Sequence, residues 1–180
     1  MKKSQTYQAF ATAMMTEAFR RNREMISNAI HLFIDAWPSG WMKTIMDCDR
    51  NPKKAYFAYK NALEPILISL RTDRFTVTSG ETVRVETILC NDTNRAEENV
   101  SMHYEVYEAE TLLLSGTSAA ALRDCDVSYV SDIVFTAPMT SDRTMLHIKA
   151  VLTDASGNVV AYNILPIEVF APVTAEEHDN

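Results

Sequence analysis

"ETVRVETIL", residues 81–89, decides the fold. Its apolar and β-branched residues alternate, so that Val83, Val85, Thr87 and Leu89 share one face and leave a wet face opposite, the period-2 signature of a half-buried strand. The same alternation recurs in "VSMHYEV", 100–106, with Val100, Met102, Tyr104 and Val106 together, and in "LHIKAVL", 146–152, with Leu146, Ile148, Ala150 and Leu152 together. "PILISL", "TLLLSGTSA", "YVSDIVFTA" and "VVAYNILPIEVF" add to these, and the turn clusters "TSGE", "NDTN" and "DASGN" divide them. About seven strands in roughly 108 residues predict an immunoglobulin-like antiparallel β-sandwich over 65–172. The polar, acidic "TAEEHDN" at the end predicts a disordered tail, 173–180.

Before Pro65 the period is different. From Ser4 to about Met25, Tyr7, Phe10, Ala11, Met14, Ala18 and Phe19 recur at three and four, predicting an amphipathic helix with that stripe facing a core. "AIHLFIDAW", 29–37, is too short for another packed helix and ends in "WPSG", so a buried strand is expected over Ile30 to Ile34, with His31 a core histidine. Asn51 as N-cap and Pro52 at the first helical position predict a second helix ending near Leu63, before Glu64-Pro65. One strand and two helices cannot close a parallel sheet. The fold class expected is therefore mainly β, with an α/β fragment, 1–64, ahead of the sandwich.

Composition narrows the function. The 180 residues are 47% apolar and carry a formal charge of -7 with no basic cluster beyond "RRNR", 20–23, which argues against nucleic acid. That run is read as a solvated or salt-bridged helix end, favoured by the negative end of its own helix dipole. No apolar run approaches the roughly 18 residues of a membrane span, and "MKKSQTYQAF" lacks the hydrophobic stretch of a secretory signal. The chain as given is expected to be soluble and not membrane-bound; its compartment stays open, and a periplasmic or secreted parent is compatible. Cys48, Cys90 and Cys125 are odd in number and widely spaced, which predicts inert thiols ahead of one structural disulfide.

Candidate chemistry is sparse. Asp35, Asp47 and Asp49 form the one close carboxylate set, and a general acid among them needs a pKa raised by burial. Turn anchoring through backbone hydrogen bonds is the preferred role for Asp35 and Asp47. Trp37 and Trp41 offer flat apolar faces suited to a sugar, but a packed corner is the preferred role for both. His31, His103 and His147 lie far from any cysteine or carboxylate cluster, so no metal and no cofactor is expected. Ser115-Gly116 and Ser156-Gly157 lack the strand–nucleophile–helix context of a hydrolase elbow.

The run "YQAFATAMMTEAFRRNREMISNAIHLFIDAWPSGWMKTIMDCDRNPKKAYFAYKNALEPI", 7–66, resembles the end of the catalytic (β/α)8 barrel of family 2 glycoside hydrolases, the group of β-galactosidases, β-glucuronidases and β-mannosidases. The features that carry it are Arg20-Arg21-Asn22-Arg23, the stretch Ile30 to Ile34, Asp35, Trp37-Pro38, Trp41, Met46-Asp47, Pro52-Lys53-Lys54-Ala55-Tyr56-Phe57-Ala58 and Glu64-Pro65-Ile66. The resemblance implies a parent that is a retaining glycosidase whose two carboxylates sit about 5 Å apart. Both come from barrel strands that precede this stretch, so no catalytic residue is expected here.

Substrate contacts in the parent are implied for Trp37, Asp35 and Trp41. The sequence departs from the family pattern in having His31 where a tryptophan lines the sugar site and Ile34 where an asparagine precedes the aspartate. The partners implied are the remainder of the parent barrel and a carbohydrate; the helix face without its barrel also predicts self-association. The alternative is a stand-alone β-sandwich binding module for carbohydrate or protein, using tyrosines such as Tyr107 and Tyr129.

Overall fold

The computed structural model describes residues 2–38 and 43–172. It divides into two compact units, Met1–Leu67 and Ile68–Asn180. Trp41 and the tail 173–180 lie outside the described residues.

The first unit contains helices α1 (Lys2–Arg20) and α2 (Lys54–Ala62). The amphipathic expectation holds for the existence of α1 but not for its end or its buried face. The helix stops at Arg20, and its buried residues are Thr16, Glu17 and Arg20, whereas Tyr7 is 73% exposed and Phe10, Ala11 and Met14 are only half-buried.

Polar contacts hold α1 in place. Gln8 Nε2 donates to the Thr44 carbonyl at 3.1 Å, and Lys54 Nζ donates to Thr6 Oγ1 at 2.8 Å. The Arg20 guanidinium donates to the carbonyls of Ala62 at 2.8 Å, Glu64 at 2.6 Å and Pro65 at 3.3 Å. The last carbonyls of a helix have no partner within it, and a cation complements the negative end of its dipole. Arg20 therefore caps α2 and not its own helix, whereas Arg21, 3.9 Å from Glu17, and the exposed Arg23 fit the solvated or salt-bridged reading of "RRNR".

Two further expectations in this unit are corrected. Ile30 to Ile34 does not form a strand: a single parallel bridge, Ile34 to Met46, is made there, and Met46 bridges in turn to Pro52. A strand needs a neighbour along its length, and here only a few residues of 45–52 are available. His31 is exposed, not a core histidine. Asn51 does not cap α2, because its amide donates to Asp47 Oδ2 at 3.0 Å; the N-cap position is Lys53, with no side-chain cap bond.

The second unit is mainly β, an immunoglobulin-like sandwich of eight strands: β1 (Ile66–Arg71), β2 (Thr76–Thr78), β3 (Thr82–Asn91), β4 (Glu97–Glu108), β5 (Thr111–Leu122), β6 (Asp126–Thr136), β7 (Arg143–Thr153) and β8 (Val159–Phe170). One sheet has the order β1-β3-β6 and the other β2-β8-β7-β4-β5. The strand beyond the seven expected is β2, whose three residues are too few to show alternation; it runs parallel to the end of β8.

Alternation read from the sequence is alternation in burial. Val83, Val85, Thr87 and Leu89 are buried, as are Leu146, Ile148, Ala150 and Leu152, and Val100, Met102 and Val106. These chains fill the space between the sheets, where Asn163 Nδ2 donates to the Ile68 carbonyl at 2.8 Å. Pro166 lies in β8 beyond the reach of β2, which covers only Glu168 to Phe170, so the strand is an edge there and no ladder bond is lost.

Gly116 on β5 lies opposite Tyr104 on β4. A Cβ at Gly116 would stand 2.8 Å from Tyr104 Cε1, inside contact distance. The ring lies over the glycine's bare backbone, so Gly116→Val forces it out of place and should destabilise the sandwich by about 1–3 kcal/mol. Ala119→Val, on the exposed face, should change stability by no more than about 0.5 kcal/mol. Denaturant unfolding of both variants checks this. In the first unit, Arg20→Met leaves the carbonyls at the end of α2 without their cation and should cost about 1.5–3 kcal/mol, followed by helix-sensitive circular dichroism during thermal unfolding.

Candidate functional site

The best-defined polar cluster in the first unit is built around Asp35. The chain at Phe33 to Asp35 lies beside 45–46, with Ile45 and Met46 N–H groups donating to the Phe33 carbonyl at 3.3 and 3.0 Å and Asp35 N–H to the Met46 carbonyl at 3.2 Å. This pairing turns the Asp35 side chain inward, where the residue is 8% exposed. Lys53 reaches it from the start of α2: Nζ lies 2.9 Å from Asp35 Oδ2 and 2.5 Å from Thr44 Oγ1, while Lys53 N–H donates to the Ile45 carbonyl at 2.9 Å. Three segments of chain meet at one ion pair.

Electrostatics follow from that geometry. The hydrogen bond from Lys53 holds the Asp35 carboxyl below its ordinary value, with help from Thr44 and against the opposing effect of burial. Asp47 is lowered too, chiefly by the Asn51 side-chain amide and then by the Asn51 N–H, which donates to Oδ1 at 2.7 Å. Both groups are thus carboxylates with committed donors. A general acid requires the opposite displacement, towards neutral pH. Asp47 anchors its turn partly through a backbone N–H, as expected, whereas Asp35 is held by the side chains of Lys53 and Thr44 and not by the backbone bonds expected for it.

Trp37 stands two residues further on and is 66% exposed. It is therefore not a packed residue of its own unit, and its indole face is open. Asp49 is exposed and contributes nothing to the Asp35 cluster. Among the described residues no group of three or more His, Cys, Asp or Glu is placed to hold a metal ion. The three cysteines are free, Cys90 buried and Cys125 exposed.

Lys53, Thr44 and Arg20 are the residues whose roles the pattern of the sequence did not single out. Lys53 is one lysine of a "PKK" run, and only its partner distinguishes it from Lys54.

In the second unit a wide cleft of about 670 Å³ opens at the end of β2 and β8, lined by Arg74, Thr76, Glu81, Asp142 and Phe170 among others. Its arginine is paired with its own wall: Arg74 Nη1 lies 3.3 Å from Glu81. Glu81 is held ionised first by the Thr78 N–H and then by Arg74. Tyr129 is 59% exposed, whereas Tyr107 is half-buried and hydrogen-bonded to Glu105, so only the first of these tyrosines presents an open ring.

The fold is shared with solved glycosidases. An exo-chitosanase from Amycolatopsis orientalis matches over 92% of this chain and 19% of its own, with a TM-score of 0.70 and 21% identity. A β-D-mannosidase from Dictyoglomus thermophilum matches over 89% of this chain and 18% of its own, with a TM-score of 0.66 and 15% identity. This chain spans about a fifth of the length of those enzymes, and both units fall within the match. No protein-family model and no curated protein sequence matches it. No described helix is long and apolar enough to cross a membrane.

The ionised state of Asp35 has a consequence for stability. Its folded pKa lies below that of an ordinary aspartate, so its contribution is complete above the unfolded pKa and is lost as pH falls through the folded one. The first unit should therefore lose stability as pH falls below about 4. Asp35→Asn should lower the unfolding temperature near pH 7 and shrink that acid-induced loss, leaving the part due to Asp47. Thermal unfolding across this pH range is the measurement.

Proposed function

We propose that this chain is the C-terminal part of a glycosidase resembling family 2 of the glycoside hydrolases: the closing segment of a (β/α)8 barrel followed by its β-sandwich. The observation that carries the proposal is the agreement of two independent likenesses. The order of motifs over 7–66 resembles the barrel's end in that family, and 92% of the chain shares its fold with a fifth of a glycosidase.

On this reading the role of the chain is architectural. The parent's retaining chemistry needs two carboxylates about 5 Å apart. Asp35 and Asp47, each held ionised by committed donors, do not suit the acid/base role, and the resemblance places both catalytic carboxylates on strands that precede this stretch. Their work is to keep the corner after Asp35 in shape, with Trp37 at its exposed tip as the group that would meet a sugar in the complete barrel, alongside Asp35 and Trp41.

The exposed apolar residues of the first unit fit the same proposal. Tyr7, Met15, Ile26 and Phe57 are open to solvent, as a barrel segment's would be without the strands and helices that precede it. The partner they call for is the remainder of that barrel. The β-sandwich binding module remains the rival, and it makes a different prediction.

Incubated with a panel of aryl β-glycosides, the purified 180-residue chain should release no aglycone above the uncatalysed rate. Turnover that disappears in Asp35→Asn or Asp47→Asn would overturn the proposal. Affinity for oligosaccharides that is lost on Tyr129→Ala and indifferent to Trp37→Ala would favour the binding module instead.

A further inference from the structure

We propose that β5 is an interface strand, and that two copies of this chain join through an antiparallel β5–β5 pair into one continuous ten-stranded sheet. The argument begins with what a sheet edge presents. Residues along an antiparallel strand alternate between exchanging both hydrogen bonds with a neighbour and pointing both groups away. β5 has β4 on one side and no strand on the other, so about six of its residues present N–H and C=O groups to an empty edge.

Natural edges are blunted by shortness, charge, proline or a bulge. The opposite edge of the same sheet follows that rule, since β2 is three residues long. The edge strands of the other sheet carry charge, Arg71 on β1 and Asp126 and Asp132 on β6. β5 carries one of these, a bulge at Leu113: Val106 and Tyr107 are consecutive on β4 but pair with Leu114 and Leu112, so the extra residue is on β5, whereas the shift between Glu97 and Val100 puts the extra residue on β4. From Leu114 to Leu122 the strand has no such device, and its twelve residues, "TLLLSGTSAAAL", include no charged group and no proline; Thr111, Leu112, Leu113, Ser115, Thr117 and Ala119 are exposed.

The occupant is a second copy because the strand is complementary to itself. Antiparallel pairing about a two-fold axis at Thr117, over the regular stretch that follows the bulge, sets Leu114 opposite Ala120, Ser115 opposite Ala119 and Gly116 opposite Ser118, so that the one bulky residue of each strand meets a small one of the other. The same axis keeps the buried face of both strands on one side of the joint sheet, as the period of two requires. Charge points to the same strand. The chain carries -7, which opposes self-association wherever carboxylates would meet, and β5 is the one long strand without a charged side chain.

Sedimentation equilibrium of the full chain at concentrations up to about 100 μM tests this, with amide hydrogen exchange as a second readout. The expected result is a dimer whose dissociation exposes β5 to exchange while β4 and β7 stay protected. Thr117→Lys places two like charges opposite each other at the axis and should raise the dimer dissociation constant at least about tenfold. Thr117→Glu should do the same, and an equimolar mixture of the two variants should associate again.

A double substitution on the first unit, Tyr7→Ser with Ile26→Ser, should leave the dimer intact. A wild-type chain that stays monomeric at these concentrations would overturn the proposal. So would association that survives both Thr117 variants, or that is abolished by the first-unit substitutions alone. Should a Thr117 variant fail to fold, the concentration dependence of β5 exchange in the wild-type chain decides the matter.

Discussion

The first unit depends on the ion pair between Asp35 and Lys53. Without a sheet to organise it, the stretch between the two helices is held by a few backbone bonds around Phe33, Ile45 and Met46, and the carboxylate draws the start of α2 onto them. Arg20 performs the complementary task at the other end of α2, donating to the carbonyls of Ala62, Glu64 and Pro65. Two cations, one at each end of a nine-residue helix, thus replace much of what a closed barrel would supply through strand pairing. A charge removed from water in this way is tolerable because its partner and hydrogen bonds come with it.

That arrangement also limits what the acids can do. A carboxylate gripped by a lysine and a threonine is stabilised in its charged form and is a poor proton donor at neutral pH. The stretch from Trp37 to Ala62, with its two tryptophans, acids and lysines, has the composition of an active-site rim. The geometry around Asp35, Thr44 and Lys53 is that of a brace, and the indole of Trp37 is exposed.

Much of the sandwich was legible because its signal is local and repeated. The alternation at Val83 to Leu89 and at Leu146 to Leu152 maps directly onto burial, since each strand has one face against the opposite sheet. The three-residue β2 was invisible for the same reason, being shorter than the period needs to declare itself. The first unit was less legible. The apolar stripe of α1 is not its buried face: Tyr7 is exposed while Thr16, Glu17 and Arg20 are buried. The anchors themselves are long-range: nothing in the spacing of Arg20 to Glu64, or Asp35 to Lys53, distinguishes these pairs from their neighbours in the chain.

The candidate site is a structural brace whose carboxylate is ionised at neutral pH and well into the acid range. Titration of the Asp35 carboxyl carbon by nuclear magnetic resonance in the folded chain measures that directly. The account predicts a midpoint below 3.8, moving upwards in Lys53→Met. A midpoint displaced upwards to about 6 or above, the range of a working general acid, would contradict it.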